Sequence, residues 1–217
     1  RAIWQAWATG ERLAFRGDFY THTLMTPMFT PAPHEHGTPP IVLAAVGPKM
    51  TEVAGEVADG IQTHGFSTER YLREVTLPAL ERGAKRAGRS LDGFEILAPG
   101  FFVAADTESE REAGAAFVRH QIGFYGSTPA YRAVLELHGW GDLQDELHEL
   151  TTSGGWDRLA SVVSDDVLQE FAIIGTPEEV ADELRRRYGD VATRVSLAVP
   201  EGADPDRWQA VFARLRA

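Results

Sequence analysis

One segment, residues 41–64, reading IVLAAVGPKMTEVAGEVADGIQTH, constrains what this chain can fold into more than any other. A near-continuous apolar run over 41–46 stops at Gly47-Pro48, and a helix-patterned stretch follows over 49–58. Asp59-Gly60 then turns the chain into a second short strand over 61–64. Strand, helix and strand joined by short loops imply a parallel pair, since parallel neighbours need a crossover. Parallel strands are covered on both faces and read as unbroken apolar runs. In parallel α/β sheets and barrels the chemistry sits at the carboxyl ends of the strands. Here those ends are Val46-Gly47 and Thr63-His64.

The rest of the chain fits an α/β reading. Residues 1–7 read as the end of a helix stopping at Gly10, 13–20 as an extended segment or short hairpin, and 26–40, rich in proline, as a loop. A long helix is expected over 68–86 with Ser67 or Thr68 as N-cap and Gly88 near its end, then a strand over 94–103 kinked at Pro99-Gly100. Residues 107–189 read as helical, broken at Gly126, at Gly139-Trp140-Gly141 and at Ser153-Gly154-Gly155. Thr176-Pro177-Glu178-Glu179 is a strong helix start within this stretch. A last strand over 194–199 and a helix over 205–216 complete the pattern, giving four strands in all.

Composition narrows the function. With 217 residues, 43% hydrophobic and 24% charged, the chain is globular and can bury a real core. A net charge of −11 argues against nucleic acid as a partner, though not against a phosphorylated small cofactor held by local backbone donors. Without cysteine there is no disulfide framework, thiolate metal site or cysteine nucleophile. No apolar run approaches the ~20 residues of a membrane span, and no signal peptide opens the chain, so the cytoplasm is the expected compartment. Nucleophile-elbow, phosphate-loop and dinucleotide-fingerprint motifs are absent.

Five segments in order carry a family resemblance: FRGDFYTHTLMTP from Phe15, AAVGPKM from Ala44 with ADG from Ala58, GFYGSTPAYR from Gly123, and GTPEEVADELRRRYG from Gly175. Together they resemble the bacterial-luciferase-like oxidoreductases, which are (β/α)8 barrels, and more narrowly the branch that uses coenzyme F420. The resemblance implies one luciferase-like domain over 1–217, the C-terminal half (about four β/α units) of a TIM-type barrel. A helical insertion would precede the last strand, and the first ~100 residues of a ~250-residue barrel would be lacking. Such a half barrel leaves the strands near Ile41 and Arg194 as open edges, for the missing half or a second copy in a homodimer. The implied activity is hydride transfer between F420 and a small organic substrate. Alternatives are an FMN-dependent monooxygenase of the same fold and a non-catalytic half barrel that binds a partner.

Candidate residues follow from both readings. A glycine at a strand end before a helix lets backbone N–H groups approach an anion, and Lys49 can add charge; the alternative is an ordinary tight turn with Pro48 near N1. By resemblance this loop lies along the cofactor's phosphate side, so Ala44, Ala45, Val46, Gly47, Pro48, Lys49, Thr63 and His64 are expected cofactor contacts. His64 can also exchange a proton near neutral pH, or simply bond a neighbouring loop. Tyr125 and Ser127 are candidates to close over substrate, against a capping role for Ser127 or Thr128 at Pro129. Tyr20 invites the same reading, against plain packing. His34-Glu35-His36, with His22 nearby, places its two histidines on opposite sides if extended, so no metal is expected. Asp165-Asp166 and Glu178-Glu179 read as helix starts, and Trp140 and Trp156 as core anchors. No catalytic residue is assigned.

Overall fold

The computed structural model describes residues 1–32, 34–197 and 204–216. They fall into two units, Arg1–Ile41 and Val42–Ala217. In the first, helix Ala2–Thr9 ends at Gly10, whose φ of 71° is the left-handed conformation that glycine tolerates at a helix stop. Strands β1 (Phe15–Arg16) and β2 (Thr21–His22) form the short antiparallel hairpin, Phe15 opposite His22. The proline-rich stretch is loop with one 3₁₀ turn, Pro27–Phe29; Pro33 lies outside the described residues.

The second unit opens with the strand–helix–strand segment from Val42 to His64. Strand β3 (Val42–Ala44) leads through Gly47 into helix Pro48–Val57 and back to β4 (Gly60–Gln62), with Leu43 paired in parallel to Ile61. The helical stretch from Glu69 to Arg86 is capped by Thr68, whose Oγ1 accepts the Tyr71 N–H at 3.1 Å. It widens to a π turn over Leu72–Thr76, where Pro78, lacking an N–H, leaves the Glu74 carbonyl without its helical donor. The two helices cross closely because both carry glycine at the contact. A Cβ on Gly55 would sit 2.2 Å from the Leu80 carbonyl oxygen, and one on Gly83 would sit 1.9 Å from that of Glu52.

The apolar run after Phe94 breaks at Pro99-Gly100 as expected, and the break lets one segment serve two sheets. Strand β5 (Glu95–Pro99) pairs with β4, and β6 (Phe101–Ala104) pairs with β7 (Ala172–Gly175). Strand β7 corrects the reading of 107–189 as wholly helical. Helix Asp165–Phe171 ends at extended Ala172, and Ile173-Ile174, β-branched and short of a full helical turn, pair with Phe102 and Val103 instead. Otherwise the stretch is helical, with breaks after Gly126, at 138–140 and after Thr152. The last strand, β8 (Arg194–Ser196), pairs with β5, giving the parallel order β3-β4-β5-β8 with β3 and β8 outermost. The expected extension of that strand to Val199 lies outside the described residues.

Apolar clusters of buried side chains hold the second unit. Ile61, Ala54 and Leu80 pack the first crossover. Phe66, Ile122, Leu135 and Phe171 fill the space under the helical excursion. Val180, Leu184, Trp208 and Val211 join helices Pro177–Tyr188 and Pro205–Arg216 to the sheet. Trp140 packs against the second of these, but Trp156 is 47% exposed, at the start of a 3₁₀ turn, and is not the core anchor expected.

Arg207 ties the last helix down. It donates to the Ala104 carbonyl at 3.2 Å and to Glu110 at 2.9 Å, while the other Glu110 oxygen accepts the N–H groups of Asp106 and Thr107. These bonds, that from Arg207 foremost, hold the Glu110 carboxyl down at about 2. A depressed carboxylate contributes stability above its unfolded value, and that stability is lost as pH falls through the folded one. Urea unfolding is therefore expected to lose part of its midpoint between about pH 4.5 and about pH 2. Arg207→Gln should flatten the loss in that window, and an unchanged pH profile would contradict the assignment.

Candidate functional site

A cleft of about 580 Å³ opens at the carboxyl ends of β3 and β4, lined by residues 44–50 and 62–64. All eight expected cofactor contacts, Ala44, Ala45, Val46, Gly47, Pro48, Lys49, Thr63 and His64, surround it. Met50 and Gln62 complete the lining; each adjoins an expected residue, and following the same two strand ends one residue further would have found them.

The Gly47 side presents backbone donors that no side chain caps. Gly47 is the N-cap of helix Pro48–Val57, Pro48 has no N–H to satisfy, and no side chain caps the helix. The first ladder bond runs from the Thr51 N–H to the Gly47 carbonyl at 3.1 Å. The Lys49 and Met50 N–H groups therefore lie outside the helical ladder, at the positive end of the dipole. Gly47 itself has φ −79° and ψ 154°, open to any residue, and a Cβ there would meet nothing within 4 Å. The fold does not require glycine at this position; what it leaves is open space in front of two free donors. Lys49 is exposed and has no carboxylate partner among the described residues.

The β4 side is more enclosed. Thr63 is buried, with its N–H and its hydroxyl both donating to the Leu97 carbonyl, at 3.0 and 3.3 Å, so it extends the sheet and lines the cleft. The Val46 carbonyl accepts from the phenol of buried Tyr71 at 3.5 Å, bracing the loop from beneath. His64 Nδ1 accepts the Phe66 N–H at 3.0 Å. Its ring stacks on Tyr131 at 4.8 Å and meets Tyr125 edge-on at 4.7 Å. Burial pushes the imidazole below its ordinary value.

Tyr125, Ser127 and Tyr20 are the weaker candidates, and of these Tyr125 touches a cleft residue. Tyr125 packs among His64, Phe66, Phe101 and Tyr131 within the helical excursion. Ser127 is buried and donates to the Phe124 carbonyl at 2.7 Å, while its own carbonyl accepts from Gln144 and His148. That hydroxyl proton is engaged inside its own helix end. Neither it nor Thr128 caps the turn at Pro129. Tyr20 lies in the first unit, 71% exposed, with its ring beside His22. His34 and His36 stack at 5.6 Å, not on opposite sides, because Glu35 and His36 form a turn. Among the described residues no group of three or more His, Cys, Asp or Glu is placed to hold a metal. None of the described helices is long and apolar enough to cross a membrane.

Comparison with known proteins gives this geometry a context. An uncharacterized protein of Mycobacterium tuberculosis is 48% identical over 195 residues, 90% of this chain and 57% of its own length. The F420-dependent glucose-6-phosphate dehydrogenase of Nakamurella multipartita is 37% identical over 227 residues, covering 99% of this chain and 58% of its own. Among solved structures, the coenzyme F420-dependent tetrahydromethanopterin reductase from Methanopyrus kandleri matches at TM-score 0.71 and 25% identity, over 97% of this chain and 58% of that one. The chain thus spans little more than half the length of these relatives. Its α/β architecture, a parallel sheet covered by helices, is that of the reductase. The model of the luciferase-like monooxygenases matches residues 1–194, and the chain belongs to that family.

Proposed function

We propose that the whole protein is an oxidoreductase that transfers hydride between coenzyme F420 and a small organic substrate, and that this chain supplies the phosphate side of the cofactor cleft. The observation that carries the reading is the uncapped N-terminus of helix Pro48–Val57 behind a glycine that the fold does not need. Two of the relatives named above are F420-dependent by name, which favours the deazaflavin over FMN. When bound, F420 supplies the hydride chemistry; the protein binds, orients and sets the local field. The Lys49 and Met50 N–H groups and the Lys49 ammonium hold the anionic end against the chain's net negative charge. Ala44, Ala45 and Val46 present a small apolar wall on which a planar group can lie. The outer strands β3 and β8 are read as edges where the remaining strands of a (β/α)8 barrel pair in the whole protein.

Oxygen uptake separates the cofactors, because a deazaflavin reacts poorly with oxygen. With reduced FMN the protein is expected to consume no oxygen above the free-flavin rate. Protein-dependent uptake would instead make it an FMN monooxygenase.

A further inference from the structure

We propose that His64 determines substrate class: its Nε2–H, oriented by Tyr125 and Tyr131, donates a hydrogen bond to an uncharged oxygen, a carbonyl or hydroxyl, on the organic substrate. This deepens the F420 reading and rests on it. The Phe66 N–H points at Nδ1, so the neutral ring carries its proton on Nε2. Protonation at Nδ1 would set two donors against each other at 3.0 Å. The loop that carries the Phe66 N–H cannot easily yield, since the Phe66 side chain is fully buried and stacks on Phe171 at 4.5 Å. The titratable groups packed on the ring are the Tyr125 and Tyr131 phenols; desolvation alone lowers the imidazole, with no charged side chain contributing. His64 is therefore a neutral donor at pH 7 with one free N–H, and Nε2 has no partner among the described residues.

The cleft consequently has two poles. Ionic groups are matched at the Gly47 end, where helix dipole, free N–H groups and Lys49 converge. At the His64 end a neutral donor lies among aromatic rings, where a phosphate or carboxylate would be desolvated without a countercharge. An uncharged oxygen acceptor is held there at no such cost. Tyr125 and Tyr131 act through His64 and are positioning residues.

Imidazole ¹H–¹⁵N correlation spectra of the chain, recorded with and without F420, test this. The expected spectrum at pH 7 is the neutral Nε2–H tautomer, with the Nε2–H resonance moved by cyclohexanone and not by inorganic phosphate. Tyr131→Ala should raise the His64 titration midpoint and weaken the ketone-induced shift about tenfold, and Tyr131→Phe should restore both. A charged ring or an Nδ1–H tautomer at pH 7 would overturn the proposal, as would a resonance that answers phosphate and ignores the ketone. F420 binding is read separately by its fluorescence. Its failure would remove the cofactor reading, while the ketone shift measured without F420 still decides the role of His64.

Discussion

Gly47→Leu is expected to leave the fold intact and weaken F420 binding by about 100-fold, equivalent to about 3 kcal/mol of steric conflict. The two halves of this expectation have separate causes. The backbone at Gly47 is extended, with φ −79°, and the space in front of its Cα is empty. A Cβ there meets no protein atom within 4 Å, and a side chain also removes conformational freedom from the unfolded chain, so thermal stability should hold or rise slightly. The same side chain would occupy the approach to the Lys49 and Met50 N–H groups, which a ligand needs. Gly47→Ala should fall between the two. Undiminished affinity in a folded Gly47→Leu protein would mean that the cofactor's anionic end lies elsewhere.

Gly83→Ala is expected to do the reverse, costing about 3 kcal/mol of stability or more. Its Cβ would stand 1.9 Å from the Glu52 carbonyl oxygen, an atom fixed in the ladder of helix Pro48–Val57. Neither helix can bend a backbone carbonyl aside as a flexible side chain would move. The gain of about 1 kcal/mol in helix propensity from glycine to alanine does not offset that clash. Gly55→Ala meets the reciprocal conflict with Leu80 at 2.2 Å and should behave alike. The crossing also sets where the Pro48 end of the helix points, so refolded Gly83→Ala protein should bind F420 more weakly as well. Urea unfolding at neutral pH reads the stability; an unchanged midpoint would show that the helices separate at little cost.

The crossover and its cleft were legible because backbone rules alone place them. An apolar run ending in Gly-Pro, a helical stretch and a second strand leave one parallel arrangement, and its carboxyl ends lie side by side. The helix starts at Thr68, Thr107 and Thr176 follow similarly local rules, and at Thr107 and Thr176 reciprocal capping boxes form. What escaped the reading depends on distant partners. Ile173-Ile174 becomes strand because β6 offers an open edge, and nothing nearby in sequence announces that. Ser127 looked available beside Pro129, yet its hydroxyl turns back to Phe124 while Gln144 and His148, on a later helix, take its carbonyl. The clamp on His64 was equally out of reach, since Tyr131 lies 67 positions further along the chain. Residue type misleads at Trp156, because large aromatics usually pack inside, whereas this one is half-exposed at the start of a 3₁₀ turn near Phe124.

Fluorescence titration of the folded chain with F420, alongside FMN, tests most directly whether the Gly47 cleft is a deazaflavin site. Saturable binding of F420, with no saturation by FMN over the same concentration range, is the expected result. A folded chain that binds neither would contradict the cofactor assignment and favour a non-catalytic, partner-binding role for this chain.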